Sequence, residues 1–189
     1  MTVGGLLLAA GAGRRFGGPK ALAVFKGTTL LERGIALLRA GGCEPIHVVL
    51  GAETAELNGV MSVLNPEWAS GMGSSLRVGL SSLPEGVDAV VVALVDQPLI
   101  GAEAIRRLRA AHAGGAAAAV ATYAGEPRNP VLLDRSLWDA VATEAVGDTG
   151  ARRFLNQHPE VVTAVPCDDT GSPSDIDTQD DLAAMEGNR

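Results

Sequence analysis

The residues best suited to chemistry begin at Leu8-Ala9-Ala10-Gly11-Ala12-Gly13-Arg14-Arg15-Phe16-Gly17-Gly18-Pro19-Lys20. Gly11, Gly13, Gly17 and Gly18 permit positive φ and close backbone approach, so several amide N–H groups can converge on one anion. Arg14, Arg15 and Lys20 add charge to that cradle. The first 31 residues carry Arg14, Arg15, Lys20 and Lys26 and no acid, and since the net charge is −7, the remainder carries −11. A phosphate-rich ligand would read that asymmetry. The apolar run Ala89 to Val95 ends in Asp96-Gln97-Pro98, a carboxylate placed where it can hold Mg²⁺ beside a triphosphate or, alternatively, cap a turn. Two further segments, Asn65 to Ser75 and Asp175-Ile176-Asp177, offer hydroxyls, an amide and paired acids.

Two familiar phosphate loops do not fit. A Walker A loop needs Lys and then Ser or Thr after its last glycine, but Pro19 follows Gly18. The dinucleotide fingerprint needs a small residue where Phe16 stands. The pattern that remains, LAAGxGxRFGxxK, resembles the nucleotide-binding signature of the nucleotidyltransferases, in particular the molybdenum cofactor cytidylyltransferase family. Arg15 and Lys20 fall on its Arg and Lys. The resemblance runs from Leu6 to Leu182.

Residue by residue, the resemblance implies nucleotide binding by Leu8, Ala9, Ala10, Gly11, Gly13 and Lys20. It adds Asn65, Ser70, Gly71, Ser74 and Ser75, from a segment that approaches base and ribose. Trp68 as core and Ser74 and Ser75 as helix caps is the plain alternative. Arg15, Lys20 and Asp96 become catalytic. Asp175-Ile176-Asp177-Thr178 followed by Asp180-Asp181-Leu182 is similar to the family's DIDTPEDL closure, with Gln179 in place of Pro; it brings Asp175 or Asp177 to Asp96 as second metal carboxylate. Gly147-Asp148-Thr149-Gly150-Ala151-Arg152 is similar to a GDxGAR segment, giving Asp148 and Arg152 acceptor roles, against helix capping as the alternative. Where the family shows Gly-His-Pro, this chain has Arg128-Asn129-Pro130, so Asn129 and Pro130 fall at the acceptor while departing from the pattern. Ala10 stands where guanylyltransferases resemble LAGG, and its methyl would crowd a purine.

The elements that position these groups follow from periodicity. Leu6 to Ala9 suits a strand buried on both faces. Leu31, Ile35 and Leu38 mark a helix capped by Thr28 or Thr29 and ending near Gly41-Gly42, and Ile46 to Leu50 and Val60 to Leu64 read as strands. Leu76, Leu80 and Leu83 predict a helix capped by Ser74 or Ser75, and Ile105 and Leu108 another. Ala116 to Tyr123 reads as a strand, Gly125 to Pro130 as a loop before Val131 to Leu133, Leu137 and Val141 as a helix, and Val161 to Pro166 as the last strand. Asp180 and Asp181 read as a solvated lead into a terminal helix. His47, His112 and His158 show no partner in the sequence, so a hydrolase triad is poorly supported.

The 189 residues predict one domain, and 47% hydrophobic with 20% charged residues is a globular balance. The acidic excess argues against nucleic-acid and anionic-membrane partners. Cys43 and Cys167 lack metal-ligand spacing and read as buried reduced thiols. The apolar run near the start is too short for a leader or membrane span, which predicts a cytoplasmic protein. The resemblance implies a three-layer α/β/α sandwich with a mostly parallel Rossmann-like sheet of the nucleotidyltransferase (GT-A-like) type. It implies Mg²⁺-dependent transfer of CMP from CTP to the phosphate of molybdenum-bound molybdopterin, with a molybdoenzyme as recipient. The rival readings are a transferase acting on a sugar phosphate or other phosphorylated metabolite, and a non-catalytic pterin cofactor carrier.

Overall fold

The computed structural model describes residues 1–51 and 57–187. The chain runs through β1 (Val3–Leu8), β2 (Val24–Phe25), β3 (Thr28–Thr29), α1 (Leu30–Ala40), β4 (Ile46–Leu50), β5 (Met61–Leu64), α2 (Met72–Ser82) and β6 (Ala89–Leu94). It continues with α3 (Ala102–Ala113), β7 (Ala118–Tyr123), β8 (Glu126–Asp134), α4 (Trp138–Glu144), α5 (Arg152–Gln157), β9 (Val162–Pro166) and α6 (Gln179–Gly187). A seven-stranded sheet has the order β5-β4-β1-β6-β8-β7-β9, and β2 and β3 form a separate ribbon. Neighbours in β5, β4, β1 and β6 are parallel, β8 is antiparallel to both β6 and β7, and β9 is parallel to β7.

Alternation along β1 builds both halves of the core. Leu7 packs with Leu31, Leu38 and Ile105 on the face covered by α1 and α3. Leu6 and Leu8 pack with Leu76, Leu80 and Phe154 on the face covered by α2, α4 and α5. The result is the expected three-layer α/β/α sandwich. Phe16, Phe25, Leu30 and Ile176 form a smaller cluster, closed by Leu182 and Met185 of α6.

Several local expectations hold and others are corrected. Thr29 caps α1 in a full capping box with Glu32. α2 begins at Met72 with Gly71 as its cap, so Ser74 and Ser75 sit inside the first turn and cap nothing. Residues 126–130 are not a loop but the first half of β8, turned from β7 by Ala124 and Gly125, both at positive φ. Pro127 and Pro130 are tolerated there because pairing between β6 and β8 stops at Val131, leaving that stretch an edge on the β6 side. Asp148 and Thr149 do not cap α5, whose cap is Ala151. Leu137 lies in a 3-10 turn ahead of α4.

The histidines do have partners. His47 Nδ1 lies 2.7 Å from Ser82 Oγ, and burial pushes the His47 pKa down. His158 sits between Glu160 and Glu144 at 3.2 and 3.3 Å, and those carboxylates, Glu160 first, raise its pKa. His112 closes α3 against the carbonyl of Ala116. Cys43 and Cys167 are free and buried, and burial pushes the Cys43 thiol up to about 12. Among the described residues no helix is long and apolar enough to cross a membrane.

Candidate active site

From β1 the chain goes to β4 and β5 on one side and then returns to β6 on the other. The crevice between the carboxyl ends of β1 and β6 is therefore the switch point of the sheet, where open α/β sheets bind ligands. A cleft of about 440 Å³ opens there. It is lined by Gly11, Gly13, Arg14, Arg15 and Lys20 of the glycine loop, by Trp68, Gly71, Met72 and Ser75 in and just before the first turn of α2, and by Asp96, Asp148 and Asp177. Leu8, Ala9 and Ala10 at the end of β1, with Leu94 and Val95 at the end of β6, also line it.

Gly13 has φ +61, and a Cβ there would overlap the carbonyl oxygen of Gly18. The amides of Gly17 and Gly18 both donate to the Gly13 carbonyl, at 2.9 and 3.3 Å, so they close the loop rather than face a ligand. That corrects the expectation for those two. Among the described residues no protein acceptor meets the amides of Gly11 to Arg15.

Lys20 is the centre of the charged groups. Its Nζ lies 3.1 Å from Asp96 Oδ2 and 3.1 Å from Asp177 Oδ1. Arg15 reaches Asp177 Oδ2 at 3.3 Å. Asp96 Oδ1 is buried with no partner among the described residues. Asp175 stands aside, accepting from Gln97 Nε2 at 2.8 Å. Its pKa is raised by partial burial, then by the charges of Asp96 and Asp177.

The distant Asp177 reaches Lys20 because its segment is fastened at several points. Ile176 is fully buried, and its amide donates to the Asp96 carbonyl at 2.8 Å. Asp181 accepts the amides of Asp177 and Thr178 at 3.0 and 2.8 Å, so it holds the segment rather than serving only as a solvated acid. Gln179 donates to the Phe16 carbonyl at 3.3 Å and ties the segment to the glycine loop.

Asp96 and Asp177, which meet at Lys20, with the unpartnered Asp96 Oδ1, offer the hard carboxylate oxygens that suit a divalent cation. Among the described residues no group of three or more His, Cys, Asp or Glu side chains forms a metal cage. A cation here would rest on Asp96 and Asp177 and complete its shell with phosphate oxygens and water, as Mg²⁺ commonly does.

A second cleft of about 430 Å³ adjoins the first where β8 parts from β6. Leu76, Val92, Val120, Val131 and Leu155 line its depth, and Arg128, Asn129, Arg152 and Asn156 its mouth. Leu8, Met72, Leu94 and Asp148 line both clefts. The expected acceptor residues Asn129, Asp148 and Arg152 thus meet in one place, while Pro130 does not line it.

Of the expected nucleotide residues, Asn65, Ser70 and Ser74 do not line the first cleft. Asn65 is fully buried, donating to Ser74 and Ser75 Oγ at 2.9 and 3.0 Å and accepting from the Glu67 amide. It braces the first turn of α2. Ser70 is spent on the Glu67 carbonyl. Sequence reasoning misses Gln97, whose only signal is its place beside Asp96.

At the switch point of the sheet a glycine-and-cation loop thus meets clustered aspartates. The chain belongs to the family described as the MobA-like NTP transferase domain, which matches residues 5–161, and that makes it a member of a nucleotidyltransferase family. It is 38% identical over 193 residues to a protein of Paenarthrobacter nicotinovorans named nicotine blue oxidoreductase, covering 95% of this chain and 94% of that one. It is 31% identical over 195 residues to a molybdenum cofactor guanylyltransferase of Rhodobacter capsulatus, covering 98% and 96%. Among solved structures, Rv0371C of Mycobacterium tuberculosis in complex with manganese superposes with TM-score 0.82 at 25% identity over 100% of both chains.

Proposed function

We propose that the protein transfers CMP from CTP to the phosphate of molybdenum-bound molybdopterin in the cytoplasm, releasing pyrophosphate. The observation that carries transfer is the pairing of Lys20 with Asp96 and Asp177 at the foot of the glycine loop. The amides of Gly11 to Arg15, which meet no acceptor among the described residues, hold the triphosphate with Arg15 and Lys20. An acceptor phosphate oxygen, presented from the second cleft past Met72, bonds to the α-phosphorus as the bond to the β-phosphate oxygen breaks. Lys20 and Arg15 take up the charge that gathers on the leaving pyrophosphate. Asp96 and Asp177 would hold Mg²⁺, which neutralises phosphate oxygens when bound.

The acceptor assignment is supported by the Rhodobacter relative's name, and CTP is supported by Ala10. Ala10 follows β1, lines the cleft and packs in one cluster with Leu8, Trp68 and Met72, and on this reading its methyl takes room that a purine would need. Such a mismatch is worth ~1 to 3 kcal/mol, roughly 10- to 200-fold in kcat/KM. The test is kcat/KM for CTP and GTP with molybdenum-bound molybdopterin, in the native protein and Ala10→Gly. A native preference for GTP would exclude the cytidylyl assignment.

The Paenarthrobacter relative's name favours a second reading, a redox reaction in the same clefts. Oxidation of a reduced nicotinamide nucleotide by a dye, without pyrophosphate from any nucleoside triphosphate, would establish it instead.

A further inference from the structure

Lys20 reaches the aspartates from a short 3-10 turn, Lys20–Leu22, closed by the Ala23 amide on the Lys20 carbonyl at 3.0 Å. Its side chain is only 14% exposed, so the two carboxylates replace much of the water that its ammonium gives up. Of the four oxygens of Asp96 and Asp177, Lys20 holds Asp96 Oδ2 and Asp177 Oδ1, and Arg15 holds Asp177 Oδ2. The fourth, Asp96 Oδ1, meets no partner among the described residues and is itself buried. Two negative charges therefore stand against two positive ones. A dication approaching this cluster meets oxygens already held, an ammonium that shares them, and no net charge to attract it.

A triphosphate changes that balance. On the proposed reading Lys20 and Arg15 turn to its phosphate oxygens, and the carboxylates they release are negative and suited to a divalent ion. We propose that Lys20 is a built-in competitor for the metal: it holds Asp96 and Asp177 until a nucleotide draws it away, so that nucleotide binding opens the metal seat. This rests on the reading that Asp96 and Asp177 are the metal carboxylates and that the glycine loop takes the triphosphate. The coupling is reciprocal by linkage, so removing the carboxylate's hold on Lys20 must also favour the nucleotide.

The test reads Mn²⁺ binding by paramagnetic relaxation with no nucleotide present, which keeps Mn²⁺–CTP complexes out of the measurement. Native protein, Lys20→Gln, Lys20→Arg, Asp96→Asn and the double variant Lys20→Gln/Asp96→Asn are compared, each checked for folding by calorimetry. Lys20→Gln is expected to bind Mn²⁺ roughly tenfold or more tightly than the native protein, Lys20→Arg to stay near the native value, and the double variant to lose the gain. A merely structural bridge predicts the opposite sign, because without the ammonium the two carboxylates part and Mn²⁺ affinity falls. If Lys20→Gln is unfolded without metal, the same affinity is read from the dependence of its Tm on Mn²⁺ concentration. In the reciprocal arm, with EDTA present, Asp96→Asn should bind CTP more tightly than the native protein, and the gain should vanish when residue 20 is already Gln. Unchanged or weaker Mn²⁺ binding in Lys20→Gln, a gain that survives Asp96→Asn, or a CTP gain that persists without Lys20 overturns the inference and leaves the proposed transfer standing. Absence of pyrophosphate release from every nucleoside triphosphate would sink the transfer and leave the competition, measured without turnover, intact.

Discussion

Ile176 is the fastening on which the second carboxylate depends, and truncating it separates anchoring from chemistry. It is fully buried among Phe16, Phe25 and Leu30, and its neighbour Asp177 makes the contact with Lys20. Ile176→Ala deletes buried aliphatic carbons worth ~0.8 kcal/mol each, and with the cavity left behind the cost falls at about 2 to 5 kcal/mol. Ile176→Val should cost only about 0.5 to 1.5 kcal/mol. The assay pairs urea unfolding with Mn²⁺ affinity followed by paramagnetic relaxation. Destabilisation should grow from Val to Ala, and Mn²⁺ affinity should fall in step as Asp177 loses its register. If Ile176→Ala loses the stability but binds Mn²⁺ as the native protein does, Asp177 is not held by this anchor and the reasoning fails.

Other perturbations read other parts of the site. The raised pKa of Asp175 means that its charged form is disfavoured in the fold, so its contribution is fully present below the ordinary carboxylate range and lost as pH rises through the folded pKa. Asp175→Asn should therefore unfold at higher temperature than the native protein at pH 7, and scanning calorimetry should show the gap closing below about pH 4. Gly13→Ala should weaken nucleotide binding by tenfold or more while the fold persists, because the loop must open around the new methyl; unchanged affinity in a fluorescence titration would refute it. Lys20→Ala should lower kcat more than it raises nucleotide Kd, and a loss confined to affinity would make Lys20 a binding group alone.

What was legible in the sequence is what local chemistry dictates. The strand into the glycine loop, a threonine cap at Thr28 or Thr29, and the apolar strand ending in Asp96 all declare themselves by residue type and period. What stayed hidden depends on distant neighbours. Pro127, Asn129 and Pro130 spell a loop, yet Glu126, Pro127 and Arg128 pair with β7, Asn129 and Pro130 fall in the irregularity that follows, and pairing resumes at Val131, where β6 also joins. Ser74 and Ser75 look like caps, yet Gly71 starts the helix a turn sooner and Asn65 claims both hydroxyls. The choice between Asp175 and Asp177 turns on Gln97 and Lys20, which meet those acids only in the folded chain.

The central claim is that the Asp96, Asp177 and Lys20 cluster serves nucleotidyl transfer, and pyrophosphate release from CTP measures it most directly. With Mg²⁺ and molybdenum-bound molybdopterin, the native protein should release pyrophosphate in step with acceptor consumed, and Asp96→Asn, folded by calorimetry, should lose on the order of 100-fold in rate. Turnover undiminished in Asp96→Asn, or no pyrophosphate from the native protein with any nucleoside triphosphate, would contradict the account.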